Sequence, residues 1–129
     1  MQYVDLLSAT KGHGCLSSFA EELFSAVNVP VFEERESSNY VDGHYFKGAV
    51  GNLTFKVSNS DEAGYDGFPY WIQVAADVGG TKELAGVVDS IVRQNLLMKG
   101  FRMIRVVNLG RNDEQHVSYQ DEAHDLLRT

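Results

Sequence analysis

The spacing of apolar residues changes twice along this chain, and those changes restrict its architecture more than any other feature. Leu16, Phe19, Ala20, Leu23, Phe24 and Val27 recur at intervals of three and four, which predicts an amphipathic helix over about residues 17–27. Gly12 and Gly14 mark a loop before it, and Ser18 with Glu21 has the form of a capping box. From residue 29 to residue 76 the period becomes two. Leu53, Phe55 and Val57 alternate with Thr54, Lys56 and Ser58, the pattern of a strand with one buried face. Gly51-Asn52 predicts a hairpin between strands near 44–50 and 53–58, and Asp42-Gly43 a turn from an earlier strand near 29–36. Residues 70–76, rich in β-formers and preceded by Pro69, read as a fourth strand in an antiparallel meander. Helical spacing returns over 82–99 in Leu84, Val87, Val88, Ile91, Val92 and Leu96, with Thr81 as the expected N-cap and Gly100 as the terminator.

Residues 101–107 then predict a fifth strand, and the helix before it allows a right-handed crossover beside a parallel neighbour. The polar tail suggests a short strand at 116–119 and a last helical turn or two at 121–127. The order α-β-β-β-β-α-β is that of a two-layer α+β fold: a mostly antiparallel sheet of about five strands with two main helices on one face. With 129 residues and neither linker nor repeat, residues 1–129 are expected to form a single globular domain.

Cys15 is the only cysteine, so no internal disulfide can form, and residues 1–7 lack the basic and apolar regions of a secretory signal. No run approaches the roughly 20 apolar residues needed to span a bilayer, and the expected location is the cytoplasm. Eleven Lys and Arg against eighteen Asp and Glu give a net charge of −7. That charge repels phosphate backbones and anionic lipid, so neither direct nucleic-acid nor membrane binding is expected, whereas a basic protein would be attracted.

Catalytic and metal motifs are not indicated. His13, His44, His116 and His124 fit no zinc spacing, and the acidic stretch between His116 and His124, with Asp121 and Glu122, could hold a divalent ion only if the tail folded back to bring three or four ligands together, solvated surface residues being the commoner outcome. No cofactor is expected. Cys15 with His13, at the entrance to the first helix, is the best enzyme alternative, against the commoner outcome of a buried packing cysteine. Gly79-Gly80-Thr81-Lys82 could bind an anion or ligand at a helix entrance but lacks the spacing of a phosphate loop. Glu33 with Asp66 could do acid/base work only across a cleft. An edge role for residues 70–76 would make a homodimer possible.

Two acidic, aromatic segments exceed what folding requires. Residues 33–40 place Glu33, Glu34 and Glu36 at the end of the first meander strand. Residues 60–71 form a long loop in which Asp61, Glu62 and Asp66 interleave with Tyr65, Phe68, Tyr70 and Trp71, the composition of an interface with aromatic anchors ringed by charge. Phe68, Tyr70 and Trp71 could equally serve the core, while Tyr65 between Gly64 and Asp66 is expected to be exposed.

In size, charge, lack of catalytic motif and these two segments, the chain resembles the small acidic immunity proteins of bacterial contact-dependent growth inhibition systems. The resemblance is one of type, without a signature motif. It implies a non-enzymatic protein that binds and neutralises a basic, nuclease-like toxin domain. Glu33, Glu34, Glu36, Asp61, Glu62 and Asp66 are the expected charge determinants, and Tyr65 and Trp71 the anchors.

Overall fold

The structure, a computed structural model, describes residues 1–9, 14–62, 64–65, 67–77 and 79–119. His13, Asp66, Asp121, Glu122, His124 and the expected helical turns at 121–127 lie outside the described residues.

Among the described residues seven strands form one sheet: β1 (Gln2–Ala9), β2 (Phe32–Glu36), β3 (Val41–Val50), β4 (Leu53–Asn59), β5 (Tyr70–Ala76), β6 (Arg102–Val107) and β7 (Gln115–Ser118). Their order is β2-β3-β4-β5-β1-β6-β7, and every neighbouring pair is antiparallel. The α+β class and the meander β2 to β5 are as the sequence predicts, with seven strands in place of about five. β1, absent from that reading, occupies the centre of the sheet. It pairs β5 through Leu6↔Ile72 and β6 through Leu7↔Ile104, so β6 lies antiparallel to β1 and has no parallel neighbour. β5 is likewise an interior strand, which removes it as the edge of a homodimer.

Helix α1 (Leu16–Ala26) and helix α2 (Thr81–Ile91) cover one face. Their apolar stripes share a core with Val4, Leu6, Phe55, Val57, Ile72, Val74 and Met103. Phe19 of α1 is fully buried, stacking on Tyr70 at 4.0 Å between ring centroids and meeting Phe101 edge-on at 5.7 Å. Gly48 of β3 lies where α1 presses closest, since a Cβ there would stand 2.8 Å from Val29 Cγ1 and 3.0 Å from Phe24 Cε1. α2 runs on through a π turn (Val92–Leu96) and a 3-10 turn (Leu97–Lys99) to Gly100, whose φ of 90° ends it as the sequence predicts. Asn95 Nδ2 donates to Ala26 O at 3.1 Å and ties the two helices together.

The caps and one turn differ from expectation. Cys15, not Ser18, stands at the N-cap of α1, and Gly80 precedes α2 while the Thr81 hydroxyl hydrogen-bonds Gln2 Oε1 at 2.6 Å. Asp42 and Gly43, both at positive φ, lie within β3 at a register shift, and the hairpin turns instead at 37–40. From Val41 to Phe46 β3 takes five steps against two on β4, from Asn59 to Val57, so the pairing is interrupted there.

Strand alternation sends Leu7, Ile104 and Val106 to the face the helices leave open. There they form a second, smaller cluster with Tyr65, Phe68, Trp71 and Leu109, so the loop between β4 and β5 folds across that face. No helix among the described residues is long and apolar enough to cross a membrane.

Candidate functional site

The pairings place the last residues of β2 and β4 beside the first residues of β3 and β5. Glu36 pairs with His44, Val41 with Asn59, and Asn59 with Tyr70. Glu36 and Asp42 therefore lie at the sheet end from which the 60–69 loop, with Asp61, departs. Asn59 Nδ2 donates to Asp42 Oδ2 at 2.7 Å, linking the hairpin to the start of the 60–69 loop. Glu62 continues that loop, its backbone amide donating to Ser60 Oγ at 3.3 Å. A shallow groove at this end is lined by Glu34, Glu36, Ser38, Asp42 and His44. Among the described residues, no lysine or arginine stands within ion-pair distance of Glu36, Asp42, Asp61 or Glu62.

The remaining site residues read from the sequence separate from this group. Glu33 and Arg35 point to the open face, where the guanidinium Nε of Arg35 donates to Glu33 Oε1 at 2.8 Å. Glu33 is thus compensated, and it sits in register with Lys47. Glu34 points the other way and accepts from His44, Nδ1 to Oε2 at 2.7 Å, the carboxylate being able only to accept.

Tyr65 is half-buried rather than exposed. Its hydroxyl donates to Glu114 Oε2 at 3.3 Å, and its ring meets His116 edge-on at 6.0 Å. Trp71 is half-buried too, its Nε1 donating to Asp5 Oδ1 at 2.9 Å and its ring 5.7 Å from Tyr40. Burial pushes the Asp5 carboxyl above its ordinary range, against the bonds from Trp71 and Gln73. β5, which carries Trp71, lies three strands from β2, about 14 Å away. The two segments therefore share the sheet end through Glu36 and Asp61, while the aromatics anchor the loop to its own protein.

Cys15 is exposed, not a packing residue. Hydrogen bonds from the hydroxyls of Ser17 (3.3 Å) and Ser18 (3.2 Å), with smaller help from the Ser18 and Ser17 backbone, bring its thiol down to about 7. The sequence signal for this was the helix start itself, which places orphan amides beside the N-cap. What no spacing revealed is that Cys15, Glu34, His44 and Asn59 line one cavity of about 480 Å3, although they are far apart in the chain.

At the α2 entrance, Glu83 Oε2 accepts from the Gly79 amide at 2.9 Å, so the protein's own carboxylate already engages a donor that an anion would use. Lys82 lines a neighbouring cavity of about 550 Å3 with Arg111, Arg105 and Asp5. Arg105 is committed there, its Nε 3.2 Å from Asp89 Oδ1. Among the described residues, no group of three or more His, Cys, Asp and Glu side chains is arranged to hold a metal ion. Comparison with protein-family models, curated proteins and solved structures gives no match to this chain.

Proposed function

We propose that this chain is a non-enzymatic protein-binding protein that engages a basic partner through the acidic end of its sheet, in the manner of an immunity protein covering a nuclease-like toxin domain. The observation that carries the reading is that Glu36 and Asp42 stand at the sheet end from which the loop bearing Asp61 and Glu62 departs, all four without a lysine or arginine in ion-pair distance among the described residues. Like charges held together gain nothing in stability, and their field outside the protein attracts a cationic surface and speeds its approach. Asp42 joins the determinants read from the sequence. Glu33 leaves them because Arg35 neutralises it, and Tyr65 and Trp71 support the loop from beneath.

The test compares wild type with the triple variant Glu36→Gln/Asp61→Asn/Glu62→Gln, each immobilised and exposed to extract of the source cell at low and then high salt. Wild type is expected to retain one stoichiometric basic protein whose nuclease-like activity it suppresses. With that purified partner, the variant's association rate at low ionic strength should fall about tenfold, the gap closing as salt rises. Equal on-rates for the two baits, at a folding midpoint shared by both, would remove the acidic end from recognition.

A further inference from the structure

The sheet face opposite the helices is only partly covered. The loop between β4 and β5 packs over Leu7, Ile104 and Val106 and reaches as far as Trp71 of β5, so its apolar cluster takes in no residue of β3 or β4. There the register sets Glu33, Lys47, Lys56, Gln73 and Asp5 in one row across five neighbouring strands. Lys47 and Lys56 stand directly opposite each other, and like charges in that position weaken a sheet. Nothing among the described residues offsets them. Neither ammonium has a carboxylate at ion-pair distance, and Glu33, beside Lys47, is engaged by Arg35. Aromatic rings border the pair. Tyr45 stacks on Tyr40 at 4.2 Å between centroids, Tyr40 lies 5.7 Å from Trp71, and Lys56 Nζ stands 5.9 Å over the Tyr45 ring. The three rings hold one another in place, and all are half-buried, so part of each stays open to a ligand.

We propose that this face docks an extended acidic segment of a partner protein, with alternate carboxylates engaging Lys47 and Lys56 and an apolar side chain resting on the ledge of Tyr40, Tyr45 and Trp71. In a chain of net charge −7 the two unpaired lysines make a local positive patch, and an acidic segment supplies the charge they lack. Alternate side chains of an extended segment point the same way about 7 Å apart, a spacing that two long side chains on adjacent strands can both reach. A nucleic-acid strand carries its phosphates along its whole length, into the field of Glu36 and Asp42 three and five residues further along β2 and β3. A short acidic segment ends before that field. The face is separate from the acidic end of the sheet, so the chain presents surfaces for two partners of opposite charge.

Trp71 is the chain's only tryptophan, so its fluorescence reports on this face. The protein is titrated at pH 7 and low ionic strength with the end-blocked peptide Glu-Ser-Glu-Ser-Phe, with Lys-Ser-Lys-Ser-Phe, and with an oligothymidylate of about ten nucleotides. The acidic peptide should give a saturable change with a Kd below about 1 mM, and the basic peptide none. In Lys47→Gln/Lys56→Gln the acidic peptide should bind about tenfold more weakly, the effect of two charges through water. The melting temperature of that variant should stay equal or rise, because the like-charge opposition is gone. No saturable change in wild type, equal affinity in the variant, or equal binding of the two peptides would overturn the docking face. Tighter binding of the oligothymidylate than of the acidic peptide would overturn its acidic-protein occupant. A variant melting more than about 3 °C lower would return the lysines to the fold and overturn their assignment to binding. None of these outcomes depends on the acidic end having a basic partner.

Discussion

Removal of one hydroxyl group tests how the C-terminal strand is fastened to the fold. Tyr119, just beyond β7, has no exposed surface, and its hydroxyl donates to Asp89 Oδ1 on α2. The same oxygen accepts from Arg105 Nε of β6 at 3.2 Å, with the Asp89 and Arg105 side chains only 17% and 20% exposed. One carboxylate oxygen thus joins a helix, a strand and the segment that follows the edge strand. Tyr119→Phe keeps the ring and deletes one hydrogen bond to a charged acceptor, worth about 1.5–3 kcal/mol in such settings. Because Arg105 still serves Asp89, the lower half of that range applies, about 1.5–2 kcal/mol. In a domain of this size that is a fall in melting temperature of about 5–10 °C.

Urea denaturation should show a lower midpoint at unchanged slope. Burial, with the bond to Asp89, holds the Tyr119 hydroxyl protonated well above the ordinary tyrosine range, so unfolding makes it easier to ionise. Its stabilisation is therefore complete below about pH 10 and is lost as pH rises beyond that. Tyr40, Tyr65 and Tyr70 are raised by burial as well, so wild type weakens in alkali through several groups, and the Phe variant should weaken less steeply than wild type. A loss below about 0.5 kcal/mol at pH 7, or identical alkaline slopes, would refute the fastening.

Gly48→Ala forces a methyl group against Val29 and Phe24 and should cost about 1–3 kcal/mol in urea denaturation; a neutral result would mean that α1 stands off the sheet more easily than its contacts imply. Asp5→Asn keeps an acceptor for Trp71 Nε1 and removes a carboxylate whose ionisation burial disfavours. Because the folded state raises that carboxyl, ionised Asp5 weakens the fold at neutral pH and the penalty vanishes below the unfolded value of about 4. The variant's denaturation midpoint should exceed wild type at pH 7 and approach it at pH 3, and a lower midpoint at pH 7 would contradict this reading. The carboxylate variants described above complete the set.

Much of the fold was legible because period is a local property. The stripe Leu16, Phe19, Ala20, Leu23, Phe24 and Val27 is buried, and the alternation of Leu53, Phe55 and Val57 places all three in the core. Leu84, Val88, Val92 and Leu96 are buried in the same way, while Val87, at the flank of its stripe, is exposed. β1 escaped for the opposite reason. As a central strand it buries Val4 and Leu6 beneath the helices and Leu7 under the loop cluster, so its apolar residues fill both faces and no period survives. Asp42-Gly43 misled because a glycine at positive φ serves an interruption within a strand as readily as a turn.

Sequence alone determined both helices and the strands whose apolar residues keep one face, though not β1, together with the acidity of the chain and the single thiol, because each is carried by neighbouring residues or by a count. Tertiary structure decided which charges act together. Glu33 and Glu34 are adjacent in the chain, yet the pleat sends one to Arg35 and the other to His44, while Glu36 and Asp61, twenty-five positions apart, share one end of the sheet. Register also set Cys15 across a cavity from a histidine 29 positions away. Side-chain periodicity is written within a strand, but the pairing between strands is a property of the closed sheet, and it is the pairing that assembled both the acidic end and the thiol's cavity.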